Sequence, residues 1–370
     1  MSGHEKREAY LLLSLVQARA GASIVRGLGD ADPRILLEEP LERLRERIEL
    51  NEKTAGILEE IRRGFDAGEV VAALEEGGAR VVTLADEGYP ERLRQVPDPP
   101  PALFVRGREI PEAPSVAIVG SRKASAGALE AARELGEALA GRGVNVVSGL
   151  ALGVDAAAHE GALEAPGTTV GVLGCGIDVV YPRKNRDLYR RVEEQGTILS
   201  EYFLGEPPLA WRFPARNRII AGLADTVVVV EAPQRSGALI TARHALDAGR
   251  EVWAVPGPIG VPECRGSNRL ISEGATPLWD VGEFVESVAP PSEEERRWHE
   301  SLTENLWAVL PHREAAVLAG IGFTPCSVDQ ISRRSGVGLQ EVVRVLPLLE
   351  LKGYVRRDAS GMLSRTGPVR

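Results

Sequence analysis

Six short apolar runs recur through the middle of the chain, at residues 116–119, 144–147, 170–173, 198–200, 227–230 and 252–255. They are continuous in Val, Ile and Leu rather than alternating with polar residues, which is the pattern of strands buried on both faces of a parallel sheet. Segments with helical spacing of apolar residues, 128–140 and 239–248 among them, lie between the runs and supply the crossovers. The pattern predicts a Rossmann-like, doubly wound, mainly parallel α/β domain.

Upstream the period changes to helical. Tyr10, Leu11, Leu13 and Val16, then Leu41, Leu44 and Ile48, then Ile57, Leu58 and Ile61 recur with charges between them, predicting a small N-terminal helical domain over 1–78. Its turn Ala20-Gly21-Ala22-Ser23 leaves two readings open: the start of a helix-hairpin-helix with an incomplete glycine pattern, or a plain bundle. A strand-like stretch at 80–83, Tyr89-Pro90, the stiff connector Pro97-Asp98-Pro99-Pro100-Pro101 and an apolar run at 103–105 predict an extension docked on the α/β domain, which then covers 79–288. The polar, proline-led stretch from Pro290 and Pro291 to Arg297 marks a linker over 289–310. Residues 311–370 read as a winged-helix-like domain, with a capping box at Ser327-Val328-Asp329-Gln330, a turn at Ser335-Gly336, a helix over 339–351 and a wing over 354–365. Pro347 predicts that this helix bends or restarts. With Arg344 and Lys352 as its cations, the helix is matched to a protein contact or an accessory role at least as well as to a DNA groove.

Composition changes this picture little. At 370 residues, with 44% hydrophobic and 26% charged side chains, the chain reads as a soluble multidomain protein. No run of about 18 apolar residues is present, and the charged N-terminus lacks an export pattern, so a cytoplasmic location without membrane contact is expected. Cys175, Cys264 and Cys326 are dispersed, as are the five histidines, so neither a disulfide framework nor a metal cofactor is expected. The net charge of −9 disfavours a broad cationic surface, and residues 311–370, with nine basic and five acidic side chains, form no polycationic tail. Any nucleic-acid site must therefore be a local groove. Only five of the 44 basic residues are lysines, a bias that suits phosphate forks and base stacking but runs through every segment, as genomic codon usage would make it.

Ligands of such sheets bind beyond the carboxyl ends of the strands, so the residues following each apolar run carry the chemistry. After the first come Gly120, Ser121 and Arg122, suited to an anion beside a helix start. After the second come Ser148, Gly149 and, one helical turn apart, Asp155 and His159. That pair reads either as acid and base or, with no accompanying nucleophile or third ligand, as a capping Asp and a packed His. The third run leads through Gly174-Cys175-Gly176 to Arg183, Lys184 and Asn185. Further on, Phe213, Arg216, Asn217 and Arg218 combine a ring for stacking with cations and an amide for a base edge. Ser236, Gly237 and Thr241 open another helix, and Gly266-Ser267-Asn268-Arg269 reads as one more loop of the same kind. Five phosphate-suited turns at one sheet edge exceed the needs of a mononucleotide and favour an extended polyanion.

The series Ala117 to Arg122, Ser148-Gly149-Leu150-Ala151 with Gly153, Asp155 and His159, Tyr181-Pro182 with Asn185, Phe213 to Gly222, Ser236 to Thr241, and Pro256-Gly257 through Asn268 to Ile271 resembles the DNA-processing protein A (DprA/Smf) family over nearly the whole α/β domain. The resemblance implies binding and protection of incoming single-stranded DNA in natural transformation, loading of the RecA recombinase, a homodimer formed through the α/β domain, and no enzymatic activity. It places DNA contacts at Arg122, at Arg183 or Lys184, and at Phe213, Arg216, Asn217 and Arg218.

Two other classes compete. A Rossmann-like nucleotide hydrolase would use Asp155, Glu201 or Glu231 as its acid, although no G-x-G-x-x-G opens the first helix. A winged-helix regulator would need a more basic recognition helix.

Overall fold

The continuous valine runs form the centre of a nine-stranded sheet. A computed structural model describes residues 2–21, 23–29, 31–290, 310–322, 325–358 and 361–366. The predicted linker lies outside the described residues from position 291 to 309. The chain divides into two compact units, Met1–Ala289 and Pro290–Arg370.

In the first unit the strands are β1 (Arg80–Thr83), β2 (Ala102–Gly107), β3 (Ser115–Val119), β4 (Asn145–Ser148), β5 (Thr169–Gly176), β6 (Thr197–Tyr202), β7 (Thr226–Val229), β8 (Glu251–Ala254) and β9 (Thr276–Pro277). Their order in the sheet is β1-β2-β6-β5-β4-β3-β7-β8-β9. All neighbours from β6 to β9 are parallel, while β1 and β2 add an antiparallel edge, with Phe104 opposite Ser200. The chain therefore winds outward from β3 to β6, then returns to place β7 beside β3 and winds the other way. The expected doubly wound, mainly parallel fold is what the chain adopts.

Both faces are covered, which is why the strands need no polar face. Ala117, Val119, Val227 and Val229 point into one core, and Val116, Ile118, Val228 and Val230 into the other. Counting helices of eight residues or more in chain order, the N-terminal helices are α1 (Ser2–Ala20), α2 (Glu52–Arg62) and α3 (Ala67–Glu76). Asn51 and Asp66 cap the last two, each side chain accepting from backbone N–H groups of the first turn. The crossover helices are α4 (Ala126–Gly141), α5 (Val154–Glu164), α6 (Arg186–Gln195), α7 (Arg212–Leu223), α8 (Gly237–Asp247) and α9 (Arg265–Ser272), followed by α10 (Val281–Val288). Helices α4, α5 and α10 cover one face, and α7 with α8 the other. Leu12, Leu13, Val16, Leu44 and Leu58 form the core of the N-terminal helices. Those helices lie against the sheet, with Leu11 of α1 packed in the same cluster as Phe104 and Ile198.

The proline connector is fixed by polar bonds. Tyr89 Oη donates to Pro100 O at 2.8 Å, and Arg218 Nε donates to Asp98 O at 3.0 Å. Arg218 also forms a two-pronged pair with Glu201, at 2.8 and 2.7 Å, in which both side chains are about nine-tenths buried.

The second unit is a winged helix. Its helices are α11 (His312–Ala319), α12 (Val328–Ser335) and α13 (Leu339–Leu351), and its wing pairs β10 (Val355–Arg357) with β11 (Leu363–Arg365). The capping box at Ser327 and Gln330 forms as expected, and Gly336 ends α12 at φ 67°. Helix α13 runs through Pro347 as one element instead of restarting there. It turns Val342, Val345, Leu346 and Leu349 inward and leaves Leu339, Val343, Leu348 and Leu351 exposed. Lys352 is held by Glu314 at 2.6 Å.

Among the described residues no helix is long and apolar enough to cross a membrane, and no group of His, Cys, Asp and Glu could hold a metal ion.

Removing one partner of a buried ion pair leaves the other charge uncompensated. Arg218→Ala should lower unfolding free energy by about 3 kcal/mol, measured by denaturant titration, because Glu201 stays buried without its partner.

Candidate nucleic-acid interface

The loops after β3 and β7 diverge at the point where the winding reverses, and a crevice opens there, as the topology requires. It is a cavity of about 710 Å³, walled by the turn after β3, the start of α5, the first turns of α7 and the loop leading into α8. Gly120, Ser121, Arg122, Phe213, Arg216, Asn217, Ser236, Gly237 and Thr241 all line it, so most of the residues singled out in the sequence meet in one place.

Their roles differ from one another. Arg216 is a wall residue only 3% exposed. Its Nη1 donates to Gly149 O at 3.1 Å and to Val172 O, joining the residue just past β4 to the middle of β5, and its Nε donates to Asn217 Oδ1 at 3.3 Å. Asp155 is its counter-charge and accepts from Gly149 N at 3.1 Å. Burial pushes the Asp155 carboxyl up, offset by Arg216, while burial lowers the Arg216 guanidinium, offset by Asp155. Gly149 is required because a Cβ there would stand 2.6 Å from Arg216 Nη2 and 2.7 Å from Asp155 Oδ2. Gly120 is likewise packed, its Cβ position lying 2.6 Å from Val154 Cγ2. At both glycines the protein's own atoms fill the space a side chain would take, and the Gly149 N–H is already given to Asp155, while Gly120 still lines the cavity.

Several polar residues hold the rim in the same way. Asn217 Nδ2 donates to Gly237 O at 3.1 Å. Asn185 Nδ2 donates to the carbonyls of Leu150 (2.9 Å) and Ala151 (3.1 Å), supporting a turn in which Leu150 takes φ 53°. Ser148 Oγ donates to Ile118 O at 2.6 Å, and Ser236 caps α8 by accepting from Ala238 N. His159 Nδ1 lies 2.7 Å from the Thr169 hydroxyl, fully buried. The packed reading of the Asp155 and His159 pair is therefore the one the structure realises.

The exposed side chains form a separate set. The Arg122 guanidinium lies over the Phe213 ring, 5.3 Å from its centroid, and Tyr181 meets that ring at 5.3 Å with a tilt of 36°. Phe213 is thus half-buried in a stack, and Tyr181, 40% exposed, presents more of its ring to solvent. Arg183 and Lys184 are exposed in a single turn (Arg183–Asn185) just past Tyr181. Lys123 and Arg235 also line the cavity, though neither was singled out in the sequence. The signal for both was adjacency, since one follows Ser121-Arg122 and the other precedes Ser236-Gly237. Among the described residues no carboxylate pairs with Arg122, Lys123, Arg183, Lys184 or Arg235, so their charge is open to a ligand.

Of the residues expected at the site, Ser148, Gly149, Arg183, Lys184 and Asn185 do not line the cavity itself, and three more have other partners. Arg218 faces a second cavity beside Asp98 and Glu201. Asn268 holds Gly257 by a reciprocal pair of bonds, at 2.9 and 3.0 Å, and Arg269 pairs with Glu273 at 2.7 Å. The expected loop at 266–269 is in fact part of α9, because Gly266 lets the helix press on the carbonyls of Ala232 and Pro233, 2.6 Å from its Cβ position.

Comparison with known proteins bears on this site. Residues 80–289 match a family model described as DNA recombination-mediator protein A, and residues 308–361 match the DprA winged helix domain. Protein Smf of Escherichia coli K12 is 39% identical over 295 residues, 78% of each chain. The DNA processing protein DprA of Bacillus subtilis is 35% identical over 261 residues, 70% of this chain and 87% of that one. The X-ray structure of DNA processing protein A from Streptococcus pneumoniae superposes with a TM-score of 0.64 at 33% identity, covering 75% of this chain and 96% of that one. A structure from Helicobacter pylori, described as giving insight into that protein's unique single-stranded DNA binding mode, matches with a TM-score of 0.51 at 31% identity over 56% of this chain and 95% of that one.

The packed histidine makes stability depend on pH. Burial first, then the charge of Arg216, lower its pKa from 6.5 to about 3. The unfolded chain takes up this proton at a higher pH than the folded one does. The resulting contribution is complete above pH 6.5 and is lost as pH falls toward about 3, at up to about 1.4 kcal/mol per pH unit. Denaturant unfolding across that range should show the slope, and His159→Gln should flatten it.

Proposed function

The chain belongs to the DNA processing protein A (DprA/Smf) family, and on that premise we propose that it binds single-stranded DNA, without catalysis, in the crevice where the sheet's winding reverses. The observation that carries this reading is the stack of Arg122, half-buried Phe213 and Tyr181, with Lys123 and Arg235 lining the same cavity and Arg183 and Lys184 exposed just past Tyr181, none of these four cations paired among the described residues. Aromatic faces beside arginines suit the splayed bases and close phosphates of a single strand. A duplex keeps its bases stacked on each other, and a mononucleotide needs fewer cations than these loops supply.

The acids do not favour hydrolysis. Asp155 is bonded to Gly149 N, Glu201 to Arg218, and Glu231 to the backbone and hydroxyl of Ser125. A general base must lie within hydrogen-bond reach of the proton it takes, and all three carboxylates are less than a tenth exposed. The recombination-mediator description of the matching family supports the further reading that the strand is protected and passed to the RecA recombinase, in the cytoplasm, during natural transformation. In that reading the chain acts as a homodimer formed through the α/β domain.

Fluorescence anisotropy with labelled oligo-dT, a duplex and a mononucleotide, over a salt series, tests the proposal. The single strand should bind tightest. Arg122→Ala should weaken it by about 1 to 3 kcal/mol and reduce the salt slope by about 0.7, with the unfolding midpoint unchanged. Arg216→Ala, by contrast, should lose stability and binding together, since its buried guanidinium joins the turn after β4 to β5. A preference for the mononucleotide would overturn the reading.

A further inference from the structure

A cationic surface continues outside the crevice. Arg183 and Lys184 are followed on α6 by Arg186, Arg190 and Arg191, so residues 183–191 carry five cations and one carboxylate, Asp187; Glu193 and Glu194 come only in the helix's last turn, where Glu193 pairs with Arg106 at 3.7 Å. Arg186 and Arg190 are exposed, and four residues of helix place them about 6 Å apart along one face. Among the described residues none of the five cations forms an ion pair. Elsewhere, exposed arginines such as Arg133 and Arg269 are held by neighbouring glutamates. The buried face of the helix, Leu188, Tyr189 and Val192, fixes which side turns outward.

The row is also joined rigidly to the mouth of the crevice. Tyr189 Oη donates to Tyr181 O at 2.5 Å and accepts from Tyr181 N at 3.4 Å. Tyr181 itself closes the stack on Phe213. The ring at the mouth and the arginines beyond it are therefore set by one helix.

We propose that α6 carries the exit path of the strand, with Arg186 and Arg190 taking phosphates of nucleotides that have left the crevice past Tyr181. This rests on the crevice being the single-strand site, and it adds a length dependence that the crevice alone does not give. Contacts of this kind, to phosphates alone, are independent of sequence.

The test uses the full chain and two labelled dT oligomers, one of about six nucleotides that fills the crevice and one of about twenty that overruns it. R186Q/R190Q should bind the long oligomer about tenfold more weakly than the parent, with a salt slope smaller by about 1.4, and should bind the short one as the parent does. R186K/R190K, which keeps both charges, should restore most of the loss. Equal affinity of the Gln pair and the parent for the long oligomer overturns the path, as does an equal loss on both lengths, which would mean a damaged crevice. If the parent binds neither oligomer in a salt-dependent way, the crevice reading itself fails, a result distinct from the other two.

Discussion

A single buried guanidinium holds the crevice together. Arg216 reaches from α7 to the carbonyl of Gly149, just past β4, and to that of Val172 within β5, faces Asp155 from α5, and touches the side chain of Asn217, which in turn holds the start of α8. Three crossover helices and two strands are thus tied together through this side chain and its neighbour Asn217. Burying a charge costs several kcal/mol unless every donor finds an acceptor, so the surrounding backbone has little freedom to move while that arrangement lasts. The small residues nearby follow from it: Gly149 exists to leave room for the guanidinium. The exposed cations at the rim can be varied individually, whereas this one cannot.

The fold was legible because its signal is repeated. Each valine run reports double burial independently, and strands and crossovers fall where the periodicity put them. Side-chain direction was much less legible. Arg216 and Arg218 look equivalent in the sequence, yet two residues of helix rotate a side chain by roughly 200°, so one enters the crevice wall while the other turns to Glu201 and the proline connector. The stretch at 266–269 has turn-forming composition but is helical, because Gly266 is used for close packing instead of for a bend. Family resemblance brings the right motif to the right sheet edge and says nothing of which members face solvent; burial decides that, and burial comes from parts of the chain far away in sequence.

The two units use charge differently. In the α/β unit, open cations gather from separate loops at the crevice although the chain is acidic as a whole. In the winged unit, helix α13 presents Leu339, Val343, Leu348 and Leu351 where a groove-reading helix would present cations, and Lys352 is already paired. The winged-helix shape alone therefore does not make this unit a second nucleic-acid reader.

The guanidinium of Arg122 resting on Phe213 has its own consequence for how a ligand arrives. A guanidinium is flat, delocalised and weakly hydrated, and on an aromatic face it is the nearest thing the protein owns to a nucleobase. Any flat group that would stack on this side of the ring competes with that guanidinium for the same face.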